Sequence, residues 1–209
     1  MFNNTGTLIF DLDGTLWDAT QTVADAWQEA LKKYDFIDRS VTQKDVQSLA
    51  GMPYDAIFEK LFPNVPDKYK TELQETCAAQ ELQHLSSAGG RLYDGLEETL
   101  AYLQGKYKLA IVSNCQSGYI EAFLQHSKLH AYFTDHACYG TSKLAKADNI
   151  REVIRRNNFT NAVYIGDTKG DYEASVGANV PFIFAAYGFG EVTQQVPRIA
   201  RFSELQQLF

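Results

Sequence analysis

Asp11 and Asp13 stand one residue apart at the end of a short apolar run, Thr7-Leu8-Ile9-Phe10, with Gly14 directly behind them. In an extended chain, side chains two apart point to the same face, so both carboxylates can aim at one place. Like charges held that close are unfavourable unless a cation lies between them or one keeps its proton. A hard, oxygen-seeking cation such as magnesium suits the pair. A solvated Asp-x-Asp-Gly turn would use the same residues, so the chemistry depends on partners elsewhere in the chain.

Two later apolar runs end in the same manner. Leu109-Ala110-Ile111-Val112 stops at Ser113-Asn114, and Ala162-Val163-Tyr164-Ile165 stops at Gly166-Asp167, with Asp171 four residues on. Lys146 lies between them, ahead of an expected helix. In open parallel sheets, ligands bind beyond the carboxyl ends of the strands. Three such ends, carrying carboxylates, a hydroxyl and a nearby lysine, are more than turn chemistry requires.

The elements that would position these groups follow from periodicity. Residues 18–34 carry Val23, Trp27, Ala30, Leu31 and Tyr34 at helical spacing, and Thr42 with Asp45 marks a second helix start that Gly51 would end. Helices are also expected over 54–62 and from Pro66 to Leu85, with no strand-like alternation between Asp18 and Leu85. Ser86-Ser87-Ala88-Gly89-Gly90 reads as a small-residue hinge. Beyond it a helix through Leu96, Leu100 and Leu103 leads into alternation. Strands are expected at 108–114, 135–139, 162–167 and 181–186, and helices near 117–126, 147–157, 172–177 and 203–208.

That order predicts an α/β fold, a Rossmann-like parallel sheet flanked by helices. The opening strand must join the later sheet, so 1–16 and 90–209 form the core domain and 17–89 a small all-α domain inserted into it.

The 209 residues carry 19 Lys and Arg against 26 Asp and Glu, a net charge of −7 that argues against a nucleic-acid or anionic-membrane partner. An anionic substrate would have to be held by local features. Met1-Phe2-Asn3-Asn4 does not resemble a signal peptide, and no apolar run approaches the ~20 residues of a membrane span. Cys77, Cys115 and Cys138 fit no metal spacing and suggest reduced thiols in a cytoplasmic protein. His84, His126, His130 and His136 likewise show no ligand spacing.

Asp11-Leu12-Asp13-Gly14-Thr15-Leu16, Ser113-Asn114, Lys146 and Gly166-Asp167-Thr168-x-x-Asp171 resemble the four ordered motifs of the haloacid dehalogenase superfamily. The helical insert after the first motif resembles that superfamily's cap. The whole pattern, with Tyr187-Gly188-Phe189-Gly190 after the last strand, is most similar to its phosphoglycolate-phosphatase-like members. The name-giving dehalogenases lack the second acid of the first motif. Asp13 therefore favours phosphoryl transfer over carbon–halogen cleavage.

The resemblance implies a magnesium-dependent phosphatase acting on a small phosphorylated metabolite. Asp11 would be the nucleophile and Asp13 the general acid and base. Magnesium would sit on the Asp11 carboxylate, the Asp13 main-chain carbonyl and Asp167, with Asp171 either a direct ligand or, the favoured reading, the holder of a metal-bound water. Ser113, Asn114 and Lys146 would bind the phosphoryl oxygens. Lys143 is the rival for the lysine position, and Lys146 fits the spacing to the helix at Asn149-Ile150 better. Thr15 and Thr168 are expected to brace local turns.

Trp17 and Trp27 are expected to pack within the cap, with Trp17 close enough to the site to remain open. Gly51-Met52-Pro53 is either a specificity loop or a plain interhelical turn. A phosphomutase of the same superfamily would share every motif, and a catalytically silent binding protein is a further alternative. A phosphonate hydrolase would need a cap lysine for a Schiff base, from among Lys32, Lys33, Lys44 and Lys60. The assembly is expected to be a monomer or homodimer.

Overall fold

The strand that delivers Asp11, β1 (Thr7–Phe10), is buried at every position. Its alternating side chains feed two cores: Leu8 and Phe10 pack into one, Ile9 into the other. A strand buried on both faces is the signature of a parallel sheet covered by helices on either side. A computed structural model, describing Phe2 and residues 4–209, shows that arrangement.

The main sheet has six strands, all parallel. In the chain after β1 come β2 (Trp17–Asp18) and β3 (Arg91–Leu92), which form a separate antiparallel pair. The main sheet continues with β4 (Lys108–Ser113), β5 (Asp135–Cys138), β6 (Ala162–Gly166), β7 (Phe182–Ala185) and β8 (Arg198–Ile199), in the spatial order β5-β4-β1-β6-β7-β8. The chain adds β4 and β5 on one side of β1, then crosses to the other side for β6. β1 therefore stands at the point where strand order reverses, the place where such sheets open a crevice. Phe10 pairs with both Ile111 and Ile165, so Asp11, Ser113 and Asp167 emerge from the sheet almost level.

Between β2 and β3 the chain forms four helices, α1 (Thr20–Leu31), α2 (Gln43–Gln47), α3 (Tyr54–Leu61) and α4 (Asp67–Ala88), and no strand. Trp27 anchors them, 5.4 Å from the ring of Phe58 and 6.5 Å from that of Tyr54. The inner face of α4 is the stripe Leu73, Cys77, Glu81, Leu85. A fixed step of four residues keeps one face of a helix inward. The sheet is flanked by α5 (Leu96–Gln104), α6 (Tyr119–Ser127), α7 (Tyr139–Ser142), α8 (Lys146–Asn157), α9 (Lys169–Gly177) and α10 (Leu205–Leu208).

The expected fold class is the observed one. Several local expectations differ, each for a physical reason. Residues 86–88 are helix rather than hinge, because the Ser86 hydroxyl donates to the Leu82 carbonyl at 2.7 Å and that of Ser87 to the Gln83 carbonyl at 3.1 Å. Serine can bond back along a helix as readily as it breaks one. The turn falls on Gly89, whose φ of +63° leaves the helical region. α9 begins at Lys169, earlier than Tyr172, because Thr168 and Asp171 form a reciprocal capping box. Trp17 is fully buried against the core helix α6, edge-on to Phe123 at 4.9 Å and to Tyr119 at 5.9 Å, and so packs outside the helical insert. β2, β3, β8 and α7 are too short to leave a periodic signal.

Candidate active site

The three strand ends and α8 meet around Lys146. Its side chain is only 4% exposed, and Nζ donates to Asp11 Oδ1 at 2.8 Å and to Asp171 Oδ1 at 2.6 Å. Asp171 is held on its other oxygen by the Thr168 hydroxyl at 2.6 Å and the Thr168 N–H at 3.0 Å. Asp167 accepts from the Phe189 N–H at 2.7 Å and the Thr15 hydroxyl at 3.3 Å. One oxygen each of Asp11, Asp167 and Asp171 falls within a 4.8 Å span, and all three residues are buried. Asp13 lies beside them and accepts from the Tyr119 hydroxyl at 2.7 Å.

Two glycines make room for this crowding. A Cβ on Gly14 would stand 2.2 Å from an Asp167 oxygen, and one on Gly188 would stand 2.3 Å from Asp167 Cβ. Gly14 also has a φ of +84°, which side-chain-bearing residues rarely adopt.

A family model for haloacid dehalogenase-like hydrolases matches residues 8–185, which span the carboxylates and Lys146 though not Gly188 and Phe189. The chain is a haloacid dehalogenase-like hydrolase. It is 27% identical to a phosphoglycolate phosphatase of Aquifex aeolicus over 208 residues, covering 96% of this chain and 95% of that one. It is 28% identical to the pyrophosphatase PpaX of Listeria monocytogenes over 179 residues, covering 82% and 79%. The fold matches a haloacid dehalogenase-like hydrolase of Streptococcus pneumoniae with a TM-score of 0.82 at 18% identity, over 98% and 99% of the chains. CbbY of Rhodobacter sphaeroides, solved with phosphate, matches with a TM-score of 0.79 at 17% identity, over 96% of each chain.

The hydrolase places Asp11, Asp13, Ser113 and Asn114 on one cavity of about 70 Å³, roofed by residues of the helical insert. Asp167, Asp171 and Lys146 are not part of its lining and connect to it through Asp11, which Lys146 bonds and beside which the two carboxylates cluster. The Asn114 side-chain amide donates to the Gly51 carbonyl at 2.7 Å, so the Gly51-Met52-Pro53 turn is latched onto the second strand end. Lys143, by contrast, is exposed and 3.9 Å from Asp55. Lys32, Lys33, Lys44 and Lys60 are all exposed and none lines the cavity, which leaves a Schiff-base mechanism without a lysine there.

Three residues escaped the sequence reading. Tyr119 lies in the helix expected near 117–126, with nothing local to mark it. Trp27, expected only to pack, also lines the cavity and donates its indole N–H to Glu81 Oε2 at 2.6 Å. Glu81 lines the same cavity, is 3% exposed, and takes a second bond from the Tyr54 hydroxyl at 3.3 Å. The signal was present: a carboxylate at the buried step of four in α4.

Burial dominates the electrostatics. It raises Asp11 to about 6, with the Asp171 charge adding and Lys146 opposing. It raises Asp13 to about 7 against the lowering bond from Tyr119, and Asp167 well above the usual range with help from Asp171 and Asp11. Glu81 rises to about 8, again chiefly by burial. For Lys146 burial works against the charge, but Asp11 and Asp171 outweigh it and hold the ammonium above its ordinary value.

These shifts fix the sign of a pH effect. A carboxyl whose pKa is raised on folding binds its proton more tightly in the native state, so its contribution is full below the unfolded value and lost as pH rises through the folded one. For Asp11, Asp13 and Glu81 that window runs from the unfolded values near 4 up through about 6, 7 and 8. The metal-free hydrolase is therefore expected to have a higher urea midpoint at about pH 5 than at about pH 8. Carboxylates with lowered pKa values, such as Asp45 and Asp135, are ionised throughout and do not reverse the trend. A midpoint that climbs over this interval would contradict the assignment.

Proposed function

We propose that this hydrolase is a magnesium-dependent phosphatase of small phosphomonoesters that works through an aspartyl-phosphate on Asp11. The observation that carries the reading is the buried Asp11 carboxylate at the switch point of the sheet, with Lys146 on one oxygen and Asp13 beside it.

The residues fit a divalent cation. Three buried carboxylates share a single ammonium, which pairs with Asp11 and Asp171 and leaves Asp167 with neutral donors alone among the described residues. Buried charges of that kind require pairing or a metal. Asp11, Asp167 and the Asp13 main-chain carbonyl would hold magnesium, which supplies charge neutralisation at the phosphoryl oxygens. Asp171 keeps Lys146 and the start of α9 in place and acts from behind the ligands.

In the first half-reaction an Asp11 oxygen attacks phosphorus, the ester P–O bond breaks, and the leaving alkoxide takes the proton of Asp13. In the second, Asp13 removes a proton from water as that water attacks phosphorus. The P–O bond to Asp11 then breaks, and inorganic phosphate departs with the carboxylate restored. Asp13 suits both halves because burial holds its pKa at about 7, where it can give and recover a proton near neutrality. Such transfer contributes about 10²–10⁴-fold in rate. Ser113 and Lys146 would hold the phosphoryl oxygens, and Asn114 both borders the cavity and latches the loop above it.

The helical segment 17–89 is read as a cap whose closure excludes water and positions the leaving group. No described helix is long and apolar enough to cross a membrane, in keeping with a cytoplasmic enzyme acting on a metabolite. A screen of small phosphomonoesters is expected to release inorganic phosphate with magnesium and to lose that release on adding EDTA. Turnover that survives chelation would overturn the metal assignment. Phosphoryl return to a sugar phosphate in place of phosphate release would replace the phosphatase with a mutase.

A further inference from the structure

The leaving-group side of the cavity has an unusual balance of chemistry for its size. Its wall is apolar, with Val23, Trp27, Leu49 and Ile57 contributed by the helical insert. Among the described residues that line it there is no lysine, arginine or histidine. The acidic group that the insert brings to the cavity is Glu81, held by Trp27 and Tyr54 through Oε2. Lys146 is committed to Asp11 and Asp171 on the phosphoryl side.

We propose that the alcohol released by this hydrolase carries no carboxylate and presents a hydrogen-bond donor, a hydroxyl or an ammonium, to Glu81. The inference rests on the phosphatase reading and names its substrate class.

Trp27 and Tyr54 both donate to Oε2 of Glu81 and the Gln116 side chain adds a further bond to the carboxyl, which still borders the cavity and can take one more donor there. A hydroxyl or ammonium group arriving there completes the set, and the surrounding rings of Trp27, Tyr54 and Tyr119 suit a cation as well as a neutral group. A carboxylate arriving there would be stripped of water and placed among apolar walls whose described lining holds no lysine, arginine or histidine. Burying an unpaired charge costs far more than burying a neutral polar group. The relatives named as phosphoglycolate phosphatases hydrolyse an ester that bears just such a carboxylate, so this chain should differ from them in substrate. The cavity of about 70 Å³ also limits the alcohol to a few heavy atoms, since one water needs at least about 10–15 Å³ of such space.

The test is a kcat/KM comparison with magnesium on four esters of similar size: glycerol 1-phosphate, phosphoethanolamine, ethyl phosphate and 2-phosphoglycolate. Acetyl phosphate serves as a phosphoryl donor with no group to place against Glu81. One or both of the first two esters should exceed ethyl phosphate and 2-phosphoglycolate by about 10²-fold, the scale on which a site built for a hydrogen bond rejects its mismatch. Which of the two leads separates hydroxyl from ammonium. In Glu81→Gln, the discrimination against 2-phosphoglycolate should shrink by about tenfold or more, because an amide tolerates a carboxylate. Should that variant fail to fold, the wild-type ranking decides alone. Equal or better turnover of 2-phosphoglycolate by the wild type, with acetyl phosphate also hydrolysed, overturns the proposal and leaves the phosphatase reading standing. No turnover of any of the four esters or of acetyl phosphate overturns both.

Discussion

Asp11→Asn is expected to lower phosphate release by about 10⁴-fold or more, the scale of losing an enzyme's covalent nucleophile. The amide has the shape of the carboxylate but cannot form the acyl-phosphate bond under turnover conditions. Acid-quenched wild-type protein should yield a phosphorylated peptide containing Asp11, and the variant should yield none. The loss should come without a loss of fold. Asp11 is one of three buried carboxylates around a single ammonium, and its own pKa is pushed up to about 6 by burial and by the Asp171 charge. Neutralising it removes a repulsion while Lys146 keeps Asp171 at 2.6 Å. The metal-free variant should therefore melt no lower than the wild type. A variant that keeps phosphate release within about tenfold of the wild type would remove the aspartyl-phosphate from the mechanism.

The sequence alone reaches the strand-end chemistry because that chemistry is local. Each polar group follows its apolar run by one or two residues, so burial of the run dictates where Asp11, Ser113 and Asp167 emerge. The parallel sheet was legible for the same reason, since strands buried on both faces leave continuous apolar runs. Lys146 was harder. Two lysines stand three residues apart; spacing to the helix favours Lys146, and the packing of α8 against the strand ends buries it while Lys143 stays exposed.

What escaped was set by tertiary contact. Tyr119 and Asp13 are 106 residues apart, and nothing in either segment announces their hydrogen bond. Glu81 was hidden differently. Its place in the stripe Leu73, Cys77, Glu81, Leu85 was readable, but a carboxylate at a core position is ordinarily a sign that the stripe has ended. Here the acid is retained because Trp27 and Tyr54, from two other helices, supply its donors. A polar residue that interrupts an otherwise regular apolar face is thus worth reading as a candidate site residue in such an insert, since a buried acid persists only where partners satisfy it.

Lys146→Met should reveal how much of the fold depends on one ammonium. Methionine fills a similar volume, so the change tests charge more than packing. The side chain is 4% exposed and bonds both Asp11 and Asp171. Removing it leaves Asp11, Asp167 and Asp171 packed within the same 4.8 Å span with no cation bonded to them among the described residues. Breaking a buried ion pair by deleting one partner costs about 3–5 kcal/mol, because the other charge stays buried and unpaired. The metal-free variant should lose about that much in urea denaturation near neutral pH. Two treatments should return part of it. Magnesium offers a replacement positive charge, and acidification lets the carboxylates protonate, more readily than before because the one group lowering the Asp11 pKa from the lysine side is gone. Phosphate release should fall by about 10²–10³-fold even with magnesium present, since a fixed positive donor to the phosphoryl oxygens has been lost. Lys143→Met is the matched control: its side chain is 63% exposed, and its removal should change stability by no more than about 0.5 kcal/mol. Equal costs for the two lysines would mean that Lys146 is solvated in the working protein and that the carboxylates owe their stability to something else.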